Sequence, residues 1–259
     1  MITYWDILLS GIFVALGIII SFTEKLRLER DIVFAAVRAF VQLLAIGYVL
    51  KFIFARHEII WTLGMILMMS LVGAWTSSRR AKGIPQPLKI TILSMLGTVA
   101  ISLLILWAFG IIPPKPMFFI PVAGMVIGNA MNTLSIGLIR FRDGVDEGRE
   151  RIEASLALGK PPSVAVAPIM RKSLRLSIIP RIDTVKVSGI IHLPGAMTGM
   201  ILAGASPIQA VKFQIVIMYI LLGTPVLAAY LSTKMAYKKF FNSAQQLIIP
   251  KFDKTRRKK

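Results

Sequence analysis

The sequence predicts an all-α polytopic membrane protein with seven membrane-spanning helices, its N-terminus outside and its C-terminus in the cytoplasm. Three observations carry that expectation. Of the 259 residues, 56% are hydrophobic and 17% charged, with a mean hydropathy of +0.73, against about 45–50% apolar and about 25% charged in a soluble domain. Seven apolar runs reach the roughly 20 residues that a helix needs to cross about 30 Å of hydrocarbon. The cations alternate by loop: with Lys51, Lys186 and Lys212 at the run ends counted in the adjoining segments, the segments after the first, third, fifth and seventh runs hold 26 of the 31 Lys and Arg, the N-terminus and the other segments hold 4, and Arg38 lies inside the second run. Lys and Arg accumulate in cytoplasmic loops, so the net charge of +19 reports orientation.

The first span, 3–22, follows a start without cations and is too long for the apolar core of a cleavable signal. Span 2, 32–53, carries Arg38 and Gln42 one turn apart on a shared face. Arg38 sits about 10 Å from the cytoplasmic end at 1.5 Å per residue. Its stem either snorkels to the headgroups or lines a translocation path. Spans 3 and 4, 59–78 and 90–110, are nearly all apolar. Thioethers bind Cu(I), but most of the 13 methionines, such as Met65, Met68 and Met69, lie unclustered in apolar runs and read as membrane filler.

Span 5, 119–139, places Gly124-x-x-x-Gly128 where helices can approach closely, and Asn129 and Asn132 on one face near the membrane midplane. The amides serve either as interhelical glue or, with Ser135, as oxygen ligands to a passing cation. The loop 140–181 is the one long connection. Its first part, 140–151, carries both charge signs and extends span 5 as a solvated helix, with i, i+4 spacing along Arg142, Asp146 and Glu150. A short helix then ends at Gly159, a left-handed cap, where Pro161 and Pro162 prevent continuation, and Ser163 is placed to cap a second short helix. The result is a compact two-helix knob under the membrane.

Span 6, 184–204, is interrupted at Leu193-Pro194-Gly195, and discontinuous helices expose carbonyls where substrates bind. His192, beside that break, is either a hydrogen-bonded structural group or a metal ligand. Asp183 and Lys186 form an i, i+3 pair at its cytoplasmic mouth. Span 7, 211–233, leads into a basic tail, 234–259, which anchors the topology or holds anionic lipid.

Cysteine is absent, which excludes disulfides, Cys-bound zinc, iron–sulfur clusters and thiol catalysis. Nucleic-acid binding fails because the cations follow topology and no binding motif accompanies them. No Ser/His/Asp, paired-carboxylate or HExxH arrangement lies at membrane depth, which disfavours an intramembrane enzyme. No phosphate-binding Gly-x-x-x-x-Gly-Lys-Ser/Thr loop occurs, the nearest string being Leu158-Gly-Lys-Pro161. Any ATP-driven activity therefore needs ATP and Mg²⁺ bound in another chain.

Glu153-Ala154-Ser155-x-x-x-Gly159 resembles the coupling-loop motif of ABC importer permeases, whose short helix docks on an ATP-hydrolysing subunit. Ile169 falls where that motif continues, but the Leu-Pro that follows in importers is absent. The nearest equivalent is Ile178-Ile179-Pro180, a departure that argues against an ordinary nutrient importer. Gly128-Asn-Ala-Met-Asn132-Thr-Leu-Ser135, the coupling motif, His192-Leu-Pro-Gly-Ala-Met-Thr-Gly199-Met-Ile-Leu-Ala-Gly204 and Gln214-Ile-Val-Ile-Met218 together resemble the FetB-type family of ABC permeases. That family includes bacterial iron-export permeases and plant membrane subunits linked to aluminium tolerance. The resemblance spans roughly residues 30–235. It implies a homodimeric membrane subunit that exports iron or a related metal ion, driven by a separate ABC-type ATP-binding subunit. A nucleotide sugar as substrate and a non-transporting signalling subunit are the alternatives.

Overall fold

The computed structural model describes residues 4–248 apart from 57, 114 and 192. The chain divides into two compact units, residues 1–58 and 59–259, and the described residues are helical almost throughout.

The first unit is a hairpin of α1 (Tyr4–Thr23) and α2 (Glu29–Arg56). Its tight turn is organised by Ser21, which is 1% exposed. The Ser21 hydroxyl donates to Glu29 Oε1 at 2.8 Å and accepts from the Leu28 amide at 3.0 Å.

The second unit contains α3 (Ile59–Arg80), α4 (Pro87–Ala108), α5 (Pro116–Glu147), α6 (Arg149–Ala157), α7 (Pro162–Ala165), α8 (Ala167–Val187), α9 (Gly195–Leu202) and α10 (Pro207–Tyr237). Proline at the first helical position starts α4, α5, α7 and α10, where its missing N–H costs nothing and its φ is already helical. Six described helices are long and apolar enough to cross a membrane: α1 to α5 and α10.

α5 is the spine. Ala123, Val126, Ala130, Leu134, Leu138, Phe141 and Val145 are all fully buried, a stripe at spacings of three and four that faces neighbours along the whole helix. Small residues set how close those neighbours come. A methyl group on Gly73 of α3 would stand 2.9 Å from Ile127 Cγ2, one on Gly124 would stand 3.1 Å from Met69 Cε, and one on Gly137 would stand 3.5 Å from Ser177 Oγ of α8. Gly128 has nothing within 4 Å, so only the first glycine of Gly124-x-x-x-Gly128 serves close approach. Met65 and Met95 are buried in the packing and Met69 fills the notch at Gly124, the gap-filling role expected of most methionines.

Several buried hydroxyls are satisfied within their own helices, while Ser94 reaches Met235 Sδ of α10 at 3.6 Å and, among the described residues, Thr62 Oγ1 and Thr133 Oγ1 have no hydrogen-bond partner. On α4, Thr91, Ser94, Thr98 and Ser102 share one face, and Thr98 and Ser102 each donate at 2.7 Å to the carbonyl four residues back.

The register fixes directions. Met69, Gly73 and Ser77 of α3 meet Gly124, Ile127 and Met131 of α5 in the same order, so α3 and α5 run parallel. Ile169 and Ser177 of α8 meet Gly144 and Gly137 in reverse order, so α8 is antiparallel to α5. Thr233 and Phe240 lie against Gly137 and Phe141, so α10 runs parallel to α5. The chain between α5 and α10 must therefore return along the bundle. It does so through α8, residues 188–191 and 193–194, which are not helical, and α9.

Segment 184–204 is thus not one helix. Its first residues finish α8, which starts at Ala167 inside the loop read from sequence as 140–181, and its last residues form the eight-residue α9. The interruption is wider than the expected Leu193-Pro194-Gly195, because Gly189, at φ +85°, already turns the chain. The expected extension of span 5 is present, since α5 runs to Glu147. The basic tail is not featureless: α10 continues to Tyr237 and residues 238–248 fold back on the bundle. Residues 249–259 lie outside the described part.

α5 passes the end of α3 by a long way. Arg80, the last residue of α3, is level with Asn132, and α5 continues 15 residues to Glu147, about 22 Å at 1.5 Å per residue. Ile169 clamps this extension to α8: a methyl group on Gly144 would stand 2.6 Å from its Cγ2, and one on Gly148 would stand 3.1 Å from its Cδ1. Gly144→Ala therefore overpacks the notch and destabilises the purified protein by about 1–3 kcal/mol. Adding Ile169→Ala is expected to recover part of that loss, read as non-additivity in thermal unfolding; strictly additive losses would contradict the clamp.

Candidate functional site

The knob at the end of α5 is built by local rules. Gly148 separates α5 from α6, and α6 ends in a Schellman motif, the paired closing bonds of a helix C-terminus. The Gly159 amide donates to the Leu156 carbonyl at 2.9 Å and the Lys160 amide to the Ser155 carbonyl at 3.1 Å. Gly159 adopts φ +78°, the left-handed conformation expected of it, which costs an L-residue about 1–2 kcal/mol. Pro161, extended, precedes α7, and Pro162 begins it. Ser163 lies inside α7 and does not cap it, because a proline already supplies a suitable first position.

The residues of the expected coupling motif stand on the outside of the knob. Ala154 and Gly159 are exposed and Ser155 is half-buried. Glu153 is exposed and pairs with Arg149 at 2.8 Å, one turn earlier. Ile152, 1% exposed, is the anchor on the opposite face. Two apolar side chains project outward beside the motif: Leu158 is 79% and Val164 52% exposed. Arg142 binds the adjacent Asp143, one residue on instead of at the expected i, i+4 spacing, and the Lys82 carbonyl, tying the α5 extension to the α3–α4 turn.

The expected polar groups of the bundle have specific partners. The middle of α3, near Met69, is level with Gly124, whereas Asn132 is level with the end of α3. Asn132 Oδ1 accepts from Arg80 Nη1 at 3.0 Å. Ser135 is 2% exposed and donates to the Met131 carbonyl at 2.7 Å, and Ser77 donates to the same carbonyl at 3.2 Å. Asn129 donates its amide to the Met125 carbonyl at 2.8 Å, which turns its hydrogens back on its own helix.

Arg38 and Gln42 share a face of α2 in the first unit, both exposed within it. Pro194 is extended and precedes α9. His192 lies outside the described residues. Asp183 and Lys186 form the expected i, i+3 pair at 3.6 Å, exposed on both sides. Among the described residues, no three His, Cys, Asp or Glu side chains cluster as a metal site would require.

Three features escape the sequence reading. Arg80 counts there only as a loop cation. Gly144-x-x-x-Gly148 repeats the spacing noticed at Gly124, but sits among charges. The fold-back 238–248 has Phe240-Phe241 as its only signal, a pair of aromatics in a basic tail.

The family described as "Uncharacterised protein family (UPF0014)" matches residues 4–241. The chain belongs to the UPF0014 family. Similar UPF0014 proteins include "UPF0014 membrane protein STAR2" of Oryza sativa subsp. japonica, 40% identical over 90% of this chain and 82% of its own length. "Probable iron export permease protein FetB" of Escherichia coli is 36% identical over 98% of both chains. "Protein ALUMINUM SENSITIVE 3" of Arabidopsis thaliana is 36% identical over 91% of this chain and 86% of its own length. No solved structure matches. With its long apolar helices and these relatives, this UPF0014 chain is a multi-pass membrane protein.

The Arg80–Asn132 contact is a crosslink between α3 and α5, and interhelical hydrogen bonds in membranes contribute about 0.6 kcal/mol on average. Arg80→Ala and Asn132→Leu, each measured alone and together in thermal unfolding, are expected to show a coupling energy of about that size. A coupling of zero would remove the contact from the account.

Proposed function

We propose that the chain is the membrane-spanning permease subunit of an ABC transporter that exports iron or a related metal ion, working as a homodimer with ATP-binding subunits docked on α6. The observation that carries this reading is the knob. A motif with coupling-loop spacing forms a short, exposed helix, closed by a left-handed glycine, at the tip of the longest helix of the bundle. Leu158 and Val164, projecting beside it, give a partner apolar surface to cover. Exposed apolar groups flanked by polar ones are what a docking site offers.

Counting the return of the chain through α8 and α9 as an interrupted sixth crossing makes seven. The alternation of cations then puts the N-terminus outside and the knob in the cytoplasm, where ATP is. ATP and Mg²⁺ would be bound and hydrolysed in the partner subunit. Closure of the partner on α6 would pull α5 and, through Ile169, α8, whose far end leads into the break at 188–194. Discontinuous helices of this kind present backbone carbonyls to substrate, and Pro194 sits at that break.

Metal export is supported by the name of the Escherichia coli relative, a probable iron export permease, and a link to aluminium by that of the Arabidopsis relative. Asn129, Asn132, Ser135, His192, Arg38 and Gln42 remain the candidate path residues. One observation favours a second reading: Arg80 already holds Asn132 Oδ1, and a guanidinium there suits an anionic substrate such as a nucleotide sugar.

The test is to co-express the chain with ABC-type ATP-binding subunits, purify the complex and measure ATP hydrolysis. Glu153→Lys reverses the exposed charge of α6, and Gly159→Pro forces φ to about −65° where the chain needs +78°. Both variants are expected to lose most of the permease-dependent stimulation while remaining folded. Full stimulation in both would overturn the docking assignment.

A further inference from the structure

The fold-back after α10 is ordered by more contacts than a chain end ordinarily makes. Phe240 is 1% exposed and meets Phe141 of the α5 extension edge-to-face, with ring centroids 5.6 Å apart. Phe241 and Leu247 form an antiparallel bridge, and the Ile248 amide donates to the Phe240 carbonyl at 2.7 Å. Asn242 and Gln246 exchange bonds: Asn242 Nδ2 donates to Gln246 Oε1 at 2.8 Å, and the Gln246 amide donates to Asn242 Oδ1 at 2.8 Å. Gln245 turns the chain at φ +59°.

This clasp is fixed beside the coupling helix. A cleft of about 590 Å³ has Glu153, Leu156, Gly159 and Lys160 on one wall and Ala244 to Leu247 on the other. Ala244, Gln245 and Gln246 are exposed, so the side of the clasp that faces the motif is open to a partner. The cleft wall carries a carboxylate, an ammonium and two amide side chains. Those groups suit a polypeptide segment with polar side chains and free backbone groups better than a lipid tail or an apolar helix.

We propose that the clasp 241–248 is the second half of the docking site for the ATP-binding subunit. A segment of that subunit enters the cleft between α6 and the clasp, so that α6 is gripped from two sides. This proposal rests on the reading of α6 as the coupling helix. The argument for that occupant is continuity: half of the cleft wall consists of the motif's own residues, so a subunit that covers Glu153 and Gly159 also closes over Ala244 to Leu247. A two-sided grip also has a mechanical consequence. Phe240 against Phe141 joins the end of α10 to the α5 extension, so a force on the clasp reaches α10 and α5 together.

The absence of cysteine makes the test direct. Ala244→Cys and Leu158→Cys are introduced singly into the full chain, at exposed positions outside the packed interior. The rate of maleimide labelling is measured with and without the ATP-binding subunit that the wild-type chain activates. With that subunit at about ten times its dissociation constant, both thiols are expected to label about tenfold more slowly, matching the fraction of chain left free. Protection at Leu158→Cys with unchanged labelling at Ala244→Cys would overturn the clasp proposal and leave the coupling helix in place. A complex that forms without protecting Leu158→Cys would overturn the coupling reading itself, and the clasp proposal with it.

Discussion

Close approach along α5 is the constraint on which the rest depends. In lipid, two helices gain little from hiding apolar surface from each other, because the hydrocarbon is as apolar as they are, and association comes from van der Waals contact and interhelical hydrogen bonds. That contact requires small residues at the crossing points. Gly73, Gly124, Gly137 and Gly144 provide them, with Ile127, Met69, Ser177 and Ile169 as the groups received. These four contacts set the register of α3, α8 and α5, and the register decides everything later: which way each helix runs, where the chain must return, and how far α5 projects past its neighbours.

The projection links packing to function. The fully buried part of α5 continues through Phe141 and Val145 to the knob, although the surrounding sequence there is charged. The knob is thus joined to the membrane half by one continuous helix, clamped to α8 by Ile169 and, through Phe240, to the segment that follows α10. Movement at α6 has two packed routes into the bundle, and one of them ends at the interrupted segment 188–194. Interiors packed this closely pass displacement on instead of absorbing it.

How legible this was depended on the range of each signal. Apolar length alone located the six long helices, because each run is uninterrupted. It overstated 184–204, where Gly189 and Pro194 break what hydropathy averages into one span. It also hid the start of α8 at Ala167, since Arg171, Lys172 and Arg175 lower the apolar count although the helix packs along α5. The left-handed cap at Gly159 was legible because a helix end needs only local rules, whereas Ser163 showed the limit of those rules when a proline competes for the same role. The Arg80–Asn132 contact, the Ile169 clamp and the clasp on Phe141 were not legible, because each joins residues whose proximity follows only from the register between helices.

The central claim is that ATP hydrolysis by a docked subunit moves a metal ion through this chain toward the side opposite the knob. It is tested most directly in sealed proteoliposomes carrying the chain and its ATP-binding subunit, with ferrous iron loaded on the knob side and its passage followed over time. The account predicts iron movement that requires both ATP and the partner subunit, and that falls in Asn132→Leu and His192→Ala. Iron movement of the same rate without ATP, or none at all while the complex hydrolyses ATP, would contradict it.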